Sequence, residues 1–180
     1  MNFQDVVLRA PEPEDLELLY KWENNSAYWT ISNTTTPFSR FTLKRYIENS
    51  HKTVFETGQA RFMIDLASDQ NTIGTIDIFD FDAFHSRAGV GILIAEEEQR
   101  RKGYASMALQ CLIDYCFETL HLHQLYCNIL EDNCGSMELF GKMGFKRIGI
   151  KKDWVKTTGG FLDEYMFQLL NPAEEKPDNR

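Results

Sequence analysis

Cysteine is scarce in this 180-residue chain: Cys111, Cys116, Cys127 and Cys134 are the only four, and no two of them form a C-x2-C pair. That spacing supplies neither a zinc framework nor a disulfide scaffold. Two of the four fall in apolar helix or strand patterns, where a thiol behaves as a small hydrophobe, so all four are expected to be reduced. The chain also lacks any run approaching the ~18 apolar residues of a membrane span, and it opens without a basic stretch followed by an apolar one. No membrane partner is expected, and a cytoplasmic location follows. Cations are in deficit, with 19 Lys and Arg against 27 Asp and Glu for a formal net charge of -8. A surface of that sign repels phosphate backbones, which argues against nucleic acid and suits a cationic substrate.

At 43% hydrophobic composition, 180 residues can bury one sizeable core and are too few for two. Residues 1–170 are expected to fold as a single domain, with 171–180 as a disordered polar tail. Residues 6–9 read as a strand. Residues 13–24 read as a helix through Leu16, Leu19, Tyr20 and Glu23, followed by a Ser/Thr/Asn/Pro-rich loop over 25–39. Thr42 is placed to cap a second helix carrying Leu43, Tyr46 and Ile47. Residues 61–67 and 73–81 make a hairpin, and the apolar stretch 88–94 reads as a central strand buried on both faces. A long amphipathic helix over 103–120 leads to a strand at 125–130. A shorter helix at 136–143 stops at Gly144, and strands at 145–151 and 161–170 close the chain. The fold class is therefore α/β, a mixed sheet of about six to seven strands flanked by about four helices. Within it, strands 88–94 and 125–130 are parallel neighbours joined by a right-handed crossover.

The segment most specific in its chemistry is the junction before the long helix, Arg100-Arg101-Lys102-Gly103-Tyr104-Ala105. A helix start exposes unpaired N–H groups and the positive end of the helix dipole, and a glycine there lets an anion approach the backbone. Three cations on an ordinary solvated loop would merely balance Glu96, Glu97 and Glu98. Placed between a buried strand and an amphipathic helix, they point to a pyrophosphate site. The first glycine and the Ser/Thr of a Walker loop are missing, so nucleoside triphosphate hydrolysis is disfavoured.

Arg100-x-x-Gly103-x-Ala105 resembles the Q/R-x-x-G-x-G/A pattern of the GNAT superfamily of N-acetyltransferases, which cradles the pyrophosphate of coenzyme A. The stretch from Asn133 through Ser136, Phe140 and Lys142 to Gly144-Phe145 resembles that family's N-x-x-S/A-x-x-x-Y-x-K-x-G-F element. Looser matches along the chain are similar to the spermidine and ribosomal-protein acetyltransferase branches. The resemblance implies acetyl-CoA as co-substrate, with no metal, and direct attack by an amine within a ternary complex. It implies coenzyme contacts from Ile92, Leu93, Ile94, Arg100, Arg101, Lys102, Gly103, Tyr104, Ala105, Asn133, Ser136, Phe140 and Lys142. It further implies a homodimer or larger homo-oligomer. The acceptor is expected to be a polyamine-like small molecule or a protein N-terminus.

An alkylammonium must lose a proton before it attacks, and carboxylates are the available acceptors. Asp77 and Asp80 fall where the spermidine relatives also carry acids. Strict alternation would put Asp80 and Asp82 on one face of their strand and Asp77 on the other. Asp163 and Glu164 are further acids at the substrate side, while His85 reads as structural. Phe140 stands where many relatives have the tyrosine that protonates the leaving thiolate, and phenylalanine donates no proton. Glycines at 89 and 91 leave the central strand without the carboxylate found there in some relatives. A second reading keeps the coenzyme cradle and drops catalysis, leaving a CoA-binding regulatory module.

Overall fold

The computed structural model describes residues 1–3 and 5–174. In chain order the strands are β1 (Asn2–Phe3), β2 (Val6–Arg9), β3 (Ala60–Leu66), β4 (Thr72–Asp82), β5 (Arg87–Ile94), β6 (Gln124–Leu130), β7 (Lys146–Thr157) and β8 (Gly160–Leu170). The helices are α1 (Leu16–Glu23), α2 (Ser26–Ser32), α3 (Arg40–Glu48), α4 (Val54–Thr57), α5 (Tyr104–Asp114) and α6 (Cys134–Lys142). The strands form one mixed sheet in the order β1-β2-β3-β4-β5-β6-β8-β7. The expected α/β architecture is present, and β5 and β6 are parallel neighbours connected through α5.

Burial explains why each face is covered as it is. Ile76 and Ile78 of β4, Ala88 and Val90 of β5 and Leu125 and Cys127 of β6 are buried against Ala108, Leu109, Leu112 and Cys116 of the long helix. On the opposite face, Leu19 and Trp22 of α1 and Leu43 and Ile47 of α3 close over Met63 and Ala95. That second layer covers only the β2 to β5 half, which leaves the same face of β6, β8 and β7 open beside it.

Local signals misplace several boundaries. The stretch 25–39 is not all loop: Asn25 accepts from the Ala27 N–H and starts α2. The cap of α3 is Ser39, whose hydroxyl accepts from Thr42 N, so Thr42 lies inside the first turn. The long helix is α only to Asp114 and continues as a π-turn over Tyr115–Thr119. Order also runs past 170, because Asn171 is buried and donates to Leu122 O at 3.2 Å. Pro172–Glu174 form a 3-10 turn, and the remainder of the expected tail, 175–180, lies outside the described residues.

The feature that positions the site is a short pairing. β5 and β6 are matched only at Arg87–Gln124, Ala88–Leu125 and Gly89–Tyr126. Beyond that point β5 stays with β4 as far as Ile94, while β6 follows β8 to Leu130, so the two parallel strands splay apart. Gly74 sets the approach of β4 to β5, since a Cβ there would lie 2.0 Å from Leu93 O. Gly74→Ala is expected to lower stability by roughly 3 kcal/mol, the upper range for overpacking, because backbone must move to admit the methyl. Urea unfolding of the purified variant, set against wild type, checks this.

Candidate active site at the splayed strands

A cavity of about 750 Å³ opens where β5 and β6 part. Residues 90–93 of β5 form one wall and residues 127–130 of β6 the other, with Asn133 and, on α6, Ser136 and Phe140 against one side of the gap. On the other side, Trp22, Tyr28, Tyr46 and Arg61 carry the cavity under α1, α2 and α3. One continuous space therefore runs from the α6 side of the sheet to its half-covered face. Among the described residues, no group of three or more His, Cys, Asp or Glu is placed to hold a metal ion.

The start of α5 has the form of an anion cradle. Gly103 is the cap residue, in a left-handed conformation at φ +90, and no side chain caps the turn that follows. The N–H groups of Tyr104 and Ala105 therefore begin the helix without a protein carboxylate or hydroxyl upon them. Arg101 also adopts a left-handed conformation, at φ +60, and is exposed. Lys102 is exposed too, its ammonium reaching Gln99 Oε1 at 3.0 Å. A polyanion with an extended arm fits this donor set, its charge at α5 and its arm along the unpaired edge of β5.

Arg100 does something different from its neighbours. Its Nε donates to Ile94 O at 2.9 Å and its Nη2 to Tyr28 Oη at 2.9 Å. Tyr28 in turn donates to Ala95 O at 3.1 Å. Arg100 thus latches α2 onto the end of β5 and turns away from the cradle. Lys142 lies on the exposed side of α6, paired with Glu138 at 2.7 Å, and does not line the cavity. Asn133 does line it, and its Oδ1 also caps α6 by accepting from Ser136 N at 3.1 Å. Phe140 is buried with its ring edge-on to Phe145, 5.0 Å between centroids.

The acidic residues separate by partner. Asp77 faces the cavity with both oxygens on Arg61, at 2.6 Å to Nε and 3.1 Å to Nη2, and Glu23 holds the same guanidinium from α1. Burial works against the Arg61 charge, but Asp77 and Glu23 together raise its pKa above the ordinary range. The same burial pushes Tyr46, beside them, up to about 12. Asp80 breaks the expected alternation. The β4–β5 register shifts between Phe79 and Asp82, and Asp80 takes a left-handed φ of +47, a conformation that aspartate adopts more readily than most residues. The bulge brings Asp80 into the cavity with Asp77, whereas Asp82 is drawn into the turn by His85 and Arg87. Asp163 is also outside the cavity, holding Lys152 and the Asp153 N–H. Glu164 is inside it, paired with Lys151 at 2.7 Å.

Phe79 occupies the place that a side chain at position 89 of β5 would need. Its ring lies so close over Gly89 that a Cβ there would fall 2.2 Å from the ring, and Gly91 lies beneath the same ring. Gly89 is thus matched to an aromatic ring contributed by β4, whereas a Cβ at Gly91 would meet the same ring at an ordinary contact distance of 3.6 Å. Sequence patterns gave no sign of Glu23 pairing with Arg61, of Tyr126 reaching Asp80, or of Lys151 and Trp154 at the cavity. Each joins segments far apart in the chain.

The comparisons agree with this geometry. A model of the acetyltransferase (GNAT) domain matches residues 5–146. By sequence, the chain is 31% identical over 171 residues to the uncharacterized N-acetyltransferase p20 of Bacillus licheniformis, covering 92% of each. It is 30% identical over 173 residues to the spermidine N(1)-acetyltransferase of Vibrio cholerae, covering 94% of this chain and 95% of that one. By structure, the Vibrio cholerae spermidine N-acetyltransferase in complex with CoA and spermine aligns with a TM-score of 0.83 at 25% identity, covering 93% of this chain and 96% of that one. A dodecameric structure of the Vibrio enzyme aligns with a TM-score of 0.77 at 26% identity, covering 93% and 94%. With the splayed strands, the helix-start cradle and these relatives in agreement, the chain belongs to the GNAT acetyltransferase family and is an acetyl-CoA-dependent N-acetyltransferase.

Proposed function

We propose that the chain acetylates a primary amine of a small polyamine-like cation by direct attack within a ternary complex. The observation that carries this reading is the charge of the cavity. Four lining carboxylates, Glu23, Asp77, Asp80 and Glu164, face two lining cations, Arg61 and Lys151, so four minus two leaves a formal charge of -2. Aromatic faces from Trp22, Tyr28, Tyr46 and Trp154 line the same space and suit an alkylammonium chain. The spermidine acetyltransferase among the relatives supports the same acceptor class.

In this reading Gly103, Tyr104 and Ala105, with Arg101 and Lys102, hold the pyrophosphate. Ile92, Leu93 and Ile94 receive the acyl arm along β5, and Asn133, Ser136 and Phe140 form the facing wall. Bound there, acetyl-CoA supplies an acyl carbon open to attack and a thiolate as leaving group. A backbone N–H on the free edge of β5 stabilises the developing oxyanion, an effect commonly worth ~3 kcal/mol that needs no particular side chain. Asp80 binds the acceptor ammonium and relays to solvent the proton it must lose. Asp77 is committed to Arg61 and shapes the pocket instead. Phe140 leaves protonation of the thiolate to water, which a thiol of pKa ~8.5 tolerates. Assembly into a homo-oligomer fits the dodecameric form of the Vibrio enzyme.

Thiol release from acetyl-CoA is the direct assay. Spermidine, spermine and diamines are expected to be turned over with kcat/KM at least about tenfold above short peptides and amino-sugar antibiotics. A preference for peptides overturns the polyamine reading. Calorimetric CoA binding with no acceptor turned over makes the chain a regulatory CoA-binding module. Asp80→Asn is expected to lower kcat/KM for the amine about 10²-fold while leaving CoA affinity unchanged. Phe140→Tyr restores a hydroxyl at the position facing the departing thiolate. It is expected to raise kcat, by about tenfold at most, in the same assay.

A further inference from the structure

The bulge that brings Asp80 into the cavity is held from another strand. Asp80 Oδ2 accepts a hydrogen bond of 3.0 Å from the hydroxyl of Tyr126 on β6. Tyr126 is also where the parallel pairing of β5 and β6 ends, opposite Gly89. Its ring packs edge-on against Phe79, 5.9 Å between centroids, and Phe79 covers Gly89. Phe79, Gly89 and Tyr126 therefore form one packed unit across β4, β5 and β6 at the vertex of the splay, with the hydroxyl as its polar end. Burial, reinforced by the bond to Asp80, pushes Tyr126 up to about 12, which keeps its hydroxyl a proton donor at neutral pH.

We infer that Tyr126 is a positioning residue for acetyl transfer, fixing the Asp80 carboxylate with one oxygen engaged and the other free for the acceptor ammonium. A carboxylate on a left-handed bulge at a strand end has several rotamers open to it, and one donor from a packed aromatic selects among them. Packing alone would be served as well by a phenylalanine, since the contact with Phe79 is made by the ring. The hydroxyl is what reaches Asp80. The inference rests on the reading of Asp80 as the amine-binding carboxylate.

Tyr126→Phe isolates the hydroxyl, because it keeps the ring and the contact with Phe79. With the most rapidly acetylated amine of the panel, expected to be spermidine, kcat/KM should fall about tenfold, the order of loss that misplacement of a reacting group produces. KM for acetyl-CoA, calorimetric CoA affinity and the thermal midpoint should stay at wild-type values. In an Asp80→Asn background, Tyr126→Phe should cost nothing further, because both changes break one interaction. Wild-type kcat/KM in Tyr126→Phe overturns the inference, and so does an undiminished tenfold loss in the Asp80→Asn background. The two readings fail separately. Wild-type activity in Asp80→Asn removes Asp80 from the reaction and the inference with it, whereas an impaired Asp80→Asn beside an intact Tyr126→Phe removes only Tyr126.

Discussion

Three residue pairs, from Arg87–Gln124 to Gly89–Tyr126, carry the parallel contact between β5 and β6, and the rest of the site depends on where that contact stops. Strand backbone left without a neighbour must find other partners or line a space that a ligand or water can enter. Here β5 beyond Gly89 keeps β4 on one edge and opens on the other. That opening joins the α6 side of the sheet to its half-covered face, so a coenzyme arm from one side can meet an amine from the other. The cradle at Gly103 and the wall at Asn133 and Phe140 matter because they flank this gap.

Charge inside the cavity is largely settled before any substrate arrives. Arg61 is taken by Asp77 and Glu23, and Lys151 by Glu164. Buried or half-buried ions of this kind are tolerable only when paired. Asp80 stands apart, its partner being a neutral hydroxyl. Among the described residues no cation pairs with it, and the proposed role in binding an ammonium rests on that. Asp77 and Glu23 share one guanidinium, so their cluster holds the second of the two negative charges in the cavity, tied to a cation that Asp80 lacks.

Two aromatic residues mark how this chain departs from the pattern it resembles. Phe140 stands where the resembled pattern has tyrosine and carries no hydroxyl, and Phe79 packed on Gly89 leaves no room for a side chain at that position of β5. In the proposed mechanism the polar chemistry therefore falls to the free backbone edge of β5 and to the β4 bulge. Electrostatic stabilisation by a preorganised backbone donor is commonly the larger contribution in acyl transfer, and it is the device on which the proposed mechanism relies.

Much of this was legible from neighbouring residues alone. Hydrophobic period gave the amphipathic long helix and the central strand, but the expected burial on both faces holds only for Ala88 to Val90, Gly91 to Ile94 being half-buried where the strand opens on the cavity. The Arg100 to Ala105 junction read as the start of a helix with exposed donors, and α5 does begin there with Gly103 as its cap. Side-chain partners set by distant segments were decided by tertiary structure. Arg100 carries the motif, yet its guanidinium is claimed by Tyr28, 72 residues earlier. Asp80 reads as the face-mate of Asp82 until a bulge, invisible in a pattern of alternating residues, turns it to the side of Asp77. Tyr126 reaches Asp80 because the sheet places β4 and β6 on either side of a strand whose glycine admits the Phe79 ring. Local sequence determined which segments are helix, strand and cradle, since propensity and burial period act over a few residues. Which charges are spent and which remain free depends on contacts between residues tens of positions apart, and only the folded sheet brings those together.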